Sequence, residues 1–199
     1  MIFLIPEQYE YRTEIIEALG ELLNYCLEKY SKFIAIRFDI TFPKNFDENI
    51  TNYYISTCIS YVVKKYSRQG YSPSYMWVRE QATSIHPHYH CLLVLDAQKV
   101  RSFHHVFETV ENAWGRAIGM PADGLIHNCT CPKDQDYNGK IVRRDAGSEA
   151  LRARAQEVFN QCSYMAKDRY KPIGKDGIRN FGMSQIRNRR KKKNKKLHS

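Results

Sequence analysis

The chain has 199 residues, of which 43% are hydrophobic, 26% charged and 13% aromatic, which excludes a disordered, collagenous or coiled-coil protein. That length builds one domain burying roughly 70% of its unfolded surface, so no disulfide staple is needed, and no apolar run is long enough to cross a membrane. Of the 31 Lys and Arg, eight lie from residue 187 onward in RNRRKKKNKK, which leaves 23 basic against 21 acidic groups before it and concentrates the net charge of +10 at one end.

The expected organisation is therefore a folded domain over 1–186 and a disordered basic arm over 187–199. A run of like charge without apolar residues cannot pack and suits an acidic polymer, foremost nucleic acid, although a solubilising tail is the plain alternative. Arg189, Arg190, Lys191, Lys192 and Lys193 form its centre. If all eight charges met single-stranded phosphate, the salt slope of binding would gain roughly −6. The opening MIFLIP lacks a basic leader and is followed by Glu7, so a cytoplasmic protein without a secretory signal is expected. Six scattered cysteines without repeated CxxC spacing are read as free thiols. His127, Cys129 and Cys131 could hold zinc, but a fourth ligand is missing and a half-buried strand is the simpler reading.

In chain order, residues 7–30 place Ile15, Ile16, Leu19, Leu22, Leu23 and Cys26 at helical spacing. FIAIRFDITFP alternates Ile34, Ile36, Phe38, Ile40 and Phe42 with Ala35, Arg37, Asp39 and Thr41, a strand with one buried face. A helix is expected over 47–66, then a hairpin with arms SYMWVREQ and HYHCLLVLD, a helix over 98–118 and a short strand in GLIHNCT. PKDQDYNGKIVRRDAGS reads as a polar loop, after which Ser148 caps a last amphipathic helix. Without its outer helices this order is βαββαβ, an α+β fold with a ferredoxin-like or RRM-like antiparallel sheet and both inner helices on one face. An N-terminal helix and a C-terminal helix carrying Tyr164 are additions to it. The opposite face, with Arg37, Asp39 and Thr41, is expected to be open to a ligand.

His88 and His90 stand two apart on a strand, so both imidazoles project to one side at metal-ligand spacing. Glu80 on the partner arm is the preferred third ligand and Asp39 its rival. Two nitrogens and one oxygen leave positions for water and a phosphate oxygen, as Mg²⁺ or Mn²⁺ requires in phosphodiester chemistry. Strict alternation puts Glu80 with Met76 and Val78 rather than with polar Arg79, so a bulge is expected to correct its direction. On the last helix Tyr164 points roughly 150° from the apolar stripe, with Lys167 on an adjoining position, and a phenol next to a cation and an ammonium is a competent nucleophile. Tyr170 and Lys171 are understudies. Arg37, Arg79, Arg143 and Arg144 are candidate phosphate contacts, and Tyr75 and Trp77 candidate base-stacking residues.

HYHCLLVLD resembles the His-hydrophobe-His motif of HUH endonucleases, and Tyr164-Met165-Ala166-Lys167 resembles the Tyr-x-x-Lys motif of their rolling-circle replication initiators. More narrowly, WVREQ, HYHCLLVL and SYMAK are similar to inovirus-type replication proteins and their YagK/YfjJ-like prophage relatives, over about residues 33–182. The resemblance implies that His88, His90 and Glu80 bind a divalent ion and that Tyr164 attacks a phosphate of a single-stranded DNA origin. It also implies a 5′-phosphotyrosine and a 3′-hydroxyl for a host polymerase, with Lys167 orienting the phosphate and a single tyrosine in place of two. No GxxxxGK[ST] is present, so a host helicase would unwind the duplex; no membrane and no small-molecule substrate is expected. A non-catalytic DNA-binding regulator on the same fold is the alternative, and Fe²⁺-dependent oxygen chemistry a third reading.

Overall fold

Thr13–Lys29 form α1, and Lys32–Ile40 form β1, the strand around which the sheet is built. The computed structural model describes residues 1–47, 50–81, 84–100, 104–130, 133, 139–168 and 178–186. After β1 come α2 (Tyr53–Arg68), β2 (Ser74–Glu80), β3 (His88–Asp96), α3 (His104–Ile118) and β4 (Ile126–Asn128). The chain then adds β5 (Lys140–Arg143), α4 (Ser148–Ser163) and β6 (Phe181–Met183). The strands lie in the order β4-β1-β3-β2-β6, every pair antiparallel, with β5 sharing with β4 the outer edge of β1. The expected βαββαβ unit is present as β1-α2-β2-β3-α3-β4, and the fold is α+β.

One face of the sheet carries Ile34, Ile36, Phe38 and Ile40 of β1 with Tyr89, Cys91, Leu93 and Leu95 of β3, packed beneath α2 and α3 around Trp114. The opposite face is not open, as alternation in β1 had suggested. Phe33, Ala35, Met76, Val78, Leu92 and Val94 line it, and the stripes of α1 (Ile15, Leu19, Leu22, Leu23) and α4 (Val158, Phe159, Cys162) cover it. Uninterrupted apolar residues from Cys91 to Leu95 are the mark of a strand buried on both faces. Cover stops where the strands turn polar, at Arg37, Asp39, Glu80, His88 and His90, and the candidate site lies there.

Three further differences concern segments with weak local signals. The region read as a polar loop contains β5, paired with Lys32 to Ala35 of β1. Ser148 is the first residue of α4 rather than its cap; Gly147 precedes it at φ 91, a conformation open to glycine but costly for other residues. β6 pairs with β2 by laying Gly182 against Trp77, where a Cβ would stand 2.6 Å from the indole ring. Cys26, Cys58, Cys91, Cys129 and Cys162 are free thiols; Cys131, Tyr170, Lys171 and the basic arm from 187 lie outside the described residues.

Candidate metal centre

The pairing of β2 with β3 runs unbroken from Ser74↔Val94 to Glu80↔His88, so no bulge intervenes. Alternation alone sends Glu80, His88 and His90 to the same side. The apparent conflict with Met76 and Val78 disappears because α1 and α4 cover those two residues, while Glu80 lies beyond the covered part of the face. One ligand atom from each of Glu80, His88 and His90 lies within 4.8 Å of the others, and this is the group of three such side chains found among the described residues. Glu80 Oε2 is 2.8 Å from His90 Nε2, and Glu80 Oε1 is 3.7 Å from His88 Nε2. His90 is 3% exposed and His88 30%, so the cluster is rooted in the sheet and open on the His88 side.

Asp39, the rival ligand, takes a different position. Its Oδ1 lies 2.7 Å from His90 Nδ1, on the far edge of the ring from Glu80. His90 Nδ1 also faces Arg37 Nη2 at 3.0 Å; in the tautomer whose Nδ1–H donates to Asp39 Oδ1, Nε2 presents its lone pair to the cluster, the arrangement by which a carboxylate orients a metal-binding imidazole. Burial by itself would raise the Asp39 pKa, but the hydrogen bond from His90 and the Arg37 guanidinium outweigh it and hold the carboxyl below the ordinary carboxylate range. Arg37, read as a phosphate contact, is buried beneath the cluster: Nη1 donates to Asp39 Oδ1, to the Phe38 carbonyl at 2.8 Å and to Cys129 Sγ at 3.0 Å.

Tyr164 is not on the helix proper. α4 ends at Ser163, and Tyr164–Ala166 form a tighter 3₁₀ turn that places the phenol beside His90. Its ring is 5.7 Å from that of His90, edge to face, and 42% exposed. Burial and then the Glu80 carboxylate raise the phenol pKa above its ordinary value. Lys167 Nζ lies 5.3 Å from the Tyr164 ring centroid. The N-terminal segment, which carried no recognisable motif, completes this corner. Tyr9 meets Tyr164 edge to face at 5.9 Å, and Lys167 Nζ sits 4.1 Å over the Tyr9 ring. Backbone bonds from Arg12 N to Ala166 O and from Asp168 N to Glu10 O, 2.8 and 2.9 Å, tie the two segments together.

The remaining candidates lie elsewhere. Arg79 projects from β2 to the face opposite Glu80, where Nη2 donates to Gln81 Oε1 at 2.9 Å. Arg144 donates to the carbonyls of Leu27, Glu28 and Tyr30 and so closes the C-terminal end of α1, while Arg143 is exposed and paired with Asp145 at 2.8 Å. Trp77, read as a base platform, is buried among Tyr89 and Gly182; Tyr75 is half-buried. His127 is exposed on β4 opposite Asp39.

The split βαβ sheet with two imidazoles, one carboxylate and a flanking phenol defines the chain as an α+β protein with a candidate cation site at one sheet end. The chain belongs to the YagK/YfjJ C-terminal domain family, which matches residues 4–184. It is similar to the Uncharacterized protein YagK of Escherichia coli (strain K12), with 26% identity over 212 aligned positions that cover 89% of this chain and 93% of that protein. No solved structure matches it. No helix among the described residues is long and apolar enough to cross a membrane.

Proposed function

We propose that the protein is a divalent-cation-dependent DNA nickase and strand transferase that initiates rolling-circle replication of phage, prophage or plasmid DNA. The observation that carries this reading is the Tyr164 ring 5.7 Å from His90, beside the cluster of Glu80, His88 and His90. One carboxylate and two imidazoles fit Mn²⁺ or Mg²⁺, with Glu80, His88 Nε2 and His90 Nε2 as its ligands and Asp39 fixing the His90 tautomer. When bound, the ion supplies charge neutralisation at the scissile phosphodiester.

The chain's own residues do the rest. Tyr164 Oη attacks the phosphorus of a single strand, the P–O3′ bond breaks, the phenol proton passes to solvent and the departing 3′-oxygen takes a proton from water. The products are a 5′-phosphotyrosine and a free 3′-hydroxyl that a host polymerase extends. Rejoining reverses these bonds, with a 3′-hydroxyl attacking the phosphotyrosine. Lys167 favours the phenolate and offsets charge on the phosphate as it builds up, and the Tyr9 face keeps its ammonium in place.

Incubation with origin-derived single strands and Mn²⁺ is expected to give an adduct stable on denaturing gels that is lost with chelator, in His88→Ala and in Tyr164→Phe. An adduct undiminished in Tyr164→Phe overturns the nucleophile. DNA binding that is insensitive to chelator and yields no adduct overturns the nuclease reading in favour of a non-catalytic DNA-binding role.

A further inference from the structure

On the other side of the hairpin from the His-Glu cluster lies a cavity of about 750 Å³, within the roughly 300–1,000 Å³ range of small-molecule sites. It is lined by Lys44, Asn45, Phe46, Arg79, Gln81 and His86, among others. The two sites are back to back: Arg79 and Glu80 are consecutive on β2, about 3.3 Å apart along the strand and serving opposite faces, and Pro87 immediately precedes His88, the first residue of β3.

We propose that this cavity holds a nucleobase of the same single strand whose phosphate lies at the cluster. The inference rests on the nuclease reading for its neighbour but on separate residues for its own chemistry. Phe46 and the His86 imidazole, with ring centroids 6.3 Å apart and planes at 84°, meet edge to face and give the cavity two aromatic rings at right angles, and Phe42 lies 6.1 Å from His86. Stacking on a single ring face tolerates any base, because every base has a π-face. Asn45 offers its amide to a base edge, and the exposed Lys44 offers positive charge to a flanking phosphate. His86 Nε2 is buried and makes no hydrogen bond with the described residues. A buried polar atom left in that state costs on the order of 1–3 kcal/mol, a cost that an edge atom of a bound base removes. A strand turning around the hairpin end thus sets a phosphate on one face and an adjacent base on the other.

The test compares binding of dT15 with that of a 15-mer of abasic deoxyribose phosphates by fluorescence anisotropy. The wild-type chain is expected to prefer dT15 by about ten-fold, in line with one stacked base. His86→Leu and Asn45→Ala should each cut that preference several-fold, whereas Lys44→Gln, which removes charge from phosphates that both ligands carry, should not. Mn²⁺ affinity should stay at the wild-type value in all three. Asn45 is exposed, so its variant keeps the fold even if His86→Leu does not. An unchanged preference in Asn45→Ala and in folded His86→Leu overturns the cavity assignment while leaving Mn²⁺-dependent adduct formation intact. Conversely, base preference that depends on Asn45 and His86 in a protein forming no adduct supports the cavity and removes the nuclease.

Discussion

The two faces of the sheet are built from the same strands and differ in how far their covering helices reach. Beneath α2 and α3 the apolar layer continues the length of β1 and β3, from Ile34 to Ile40 and from Tyr89 to Leu95. Beneath α1 and α4 it stops after Ala35, Val78 and Leu92, and the next residues on that face are Arg37, Glu80 and His90. The first face stabilises the fold; the second surrenders part of its burial to hold ionisable groups in a half-dry corner, where electrostatic interactions are stronger than in water.

Truncating one large side chain on each face separates their roles. Trp114→Ala removes a fully buried indole whose Nε1 donates to the Thr41 carbonyl, and should cost about 3–5 kcal/mol in urea unfolding. Tyr164→Phe, at the open corner, should leave the unfolding midpoint within about 0.5 kcal/mol of wild type while abolishing the adduct. Equal losses would mean that the two faces do not divide the labour.

Alkaline stability probes both layers together. Burial pushes the thiols of Cys58 on the buried side of α2, Cys26 of α1 and Cys162 of α4 up to about 12. An unfolded thiol releases its proton near about pH 8.5, so between there and 12 the folded state binds more protons and stability must fall as pH rises. Each thiol contributes up to about 1.4 kcal/mol per pH unit. Cys58→Ala should make the dependence of stability on pH shallower by one thiol's share, measured by urea unfolding at pH 8 to 10.5; an unaltered slope contradicts it.

Smaller effects sharpen the polar corner. Asp39→Asn should weaken Mn²⁺ binding by about 10–100-fold in calorimetry, because the His90 tautomer loses its carboxylate partner. Retained affinity would show that Asp39 acts on the fold alone. Tyr9→Leu should slow adduct formation by about three- to ten-fold with unchanged Mn²⁺ affinity, and Tyr9→Phe, which keeps the ring under Lys167, should restore it. If Phe fails where Tyr succeeds, the hydroxyl rather than the aromatic face matters.

The hairpin and the order of the main elements were legible because period-two and period-3.6 patterns are local, and the direction of Glu80 followed from plain alternation. The expected bulge arose from assigning one buried face to strands that have two. Whether α1 and α4 lie against the sheet or away from it depends on distant surfaces, which explains the mistaken open face. β5 and β6 escaped notice because three or four residues such as KIVR and FGM carry too little pattern to stand out from a polar loop. Asp39 could be seen as a site residue, but its place behind His90 follows from the β1–β3 register. Tyr9 gave no signal, since its partners Tyr164 and Lys167 are brought to it only by the tertiary fold.

The bridge between Tyr11 and Lys167 gives the corner an uneven order of assembly. Both imidazoles and their carboxylate come from one hairpin and can meet as soon as it closes, whereas the phenol waits for the turn after α4 to dock on the segment that precedes α1. The imidazole–carboxylate group can therefore assemble before the phenol reaches it.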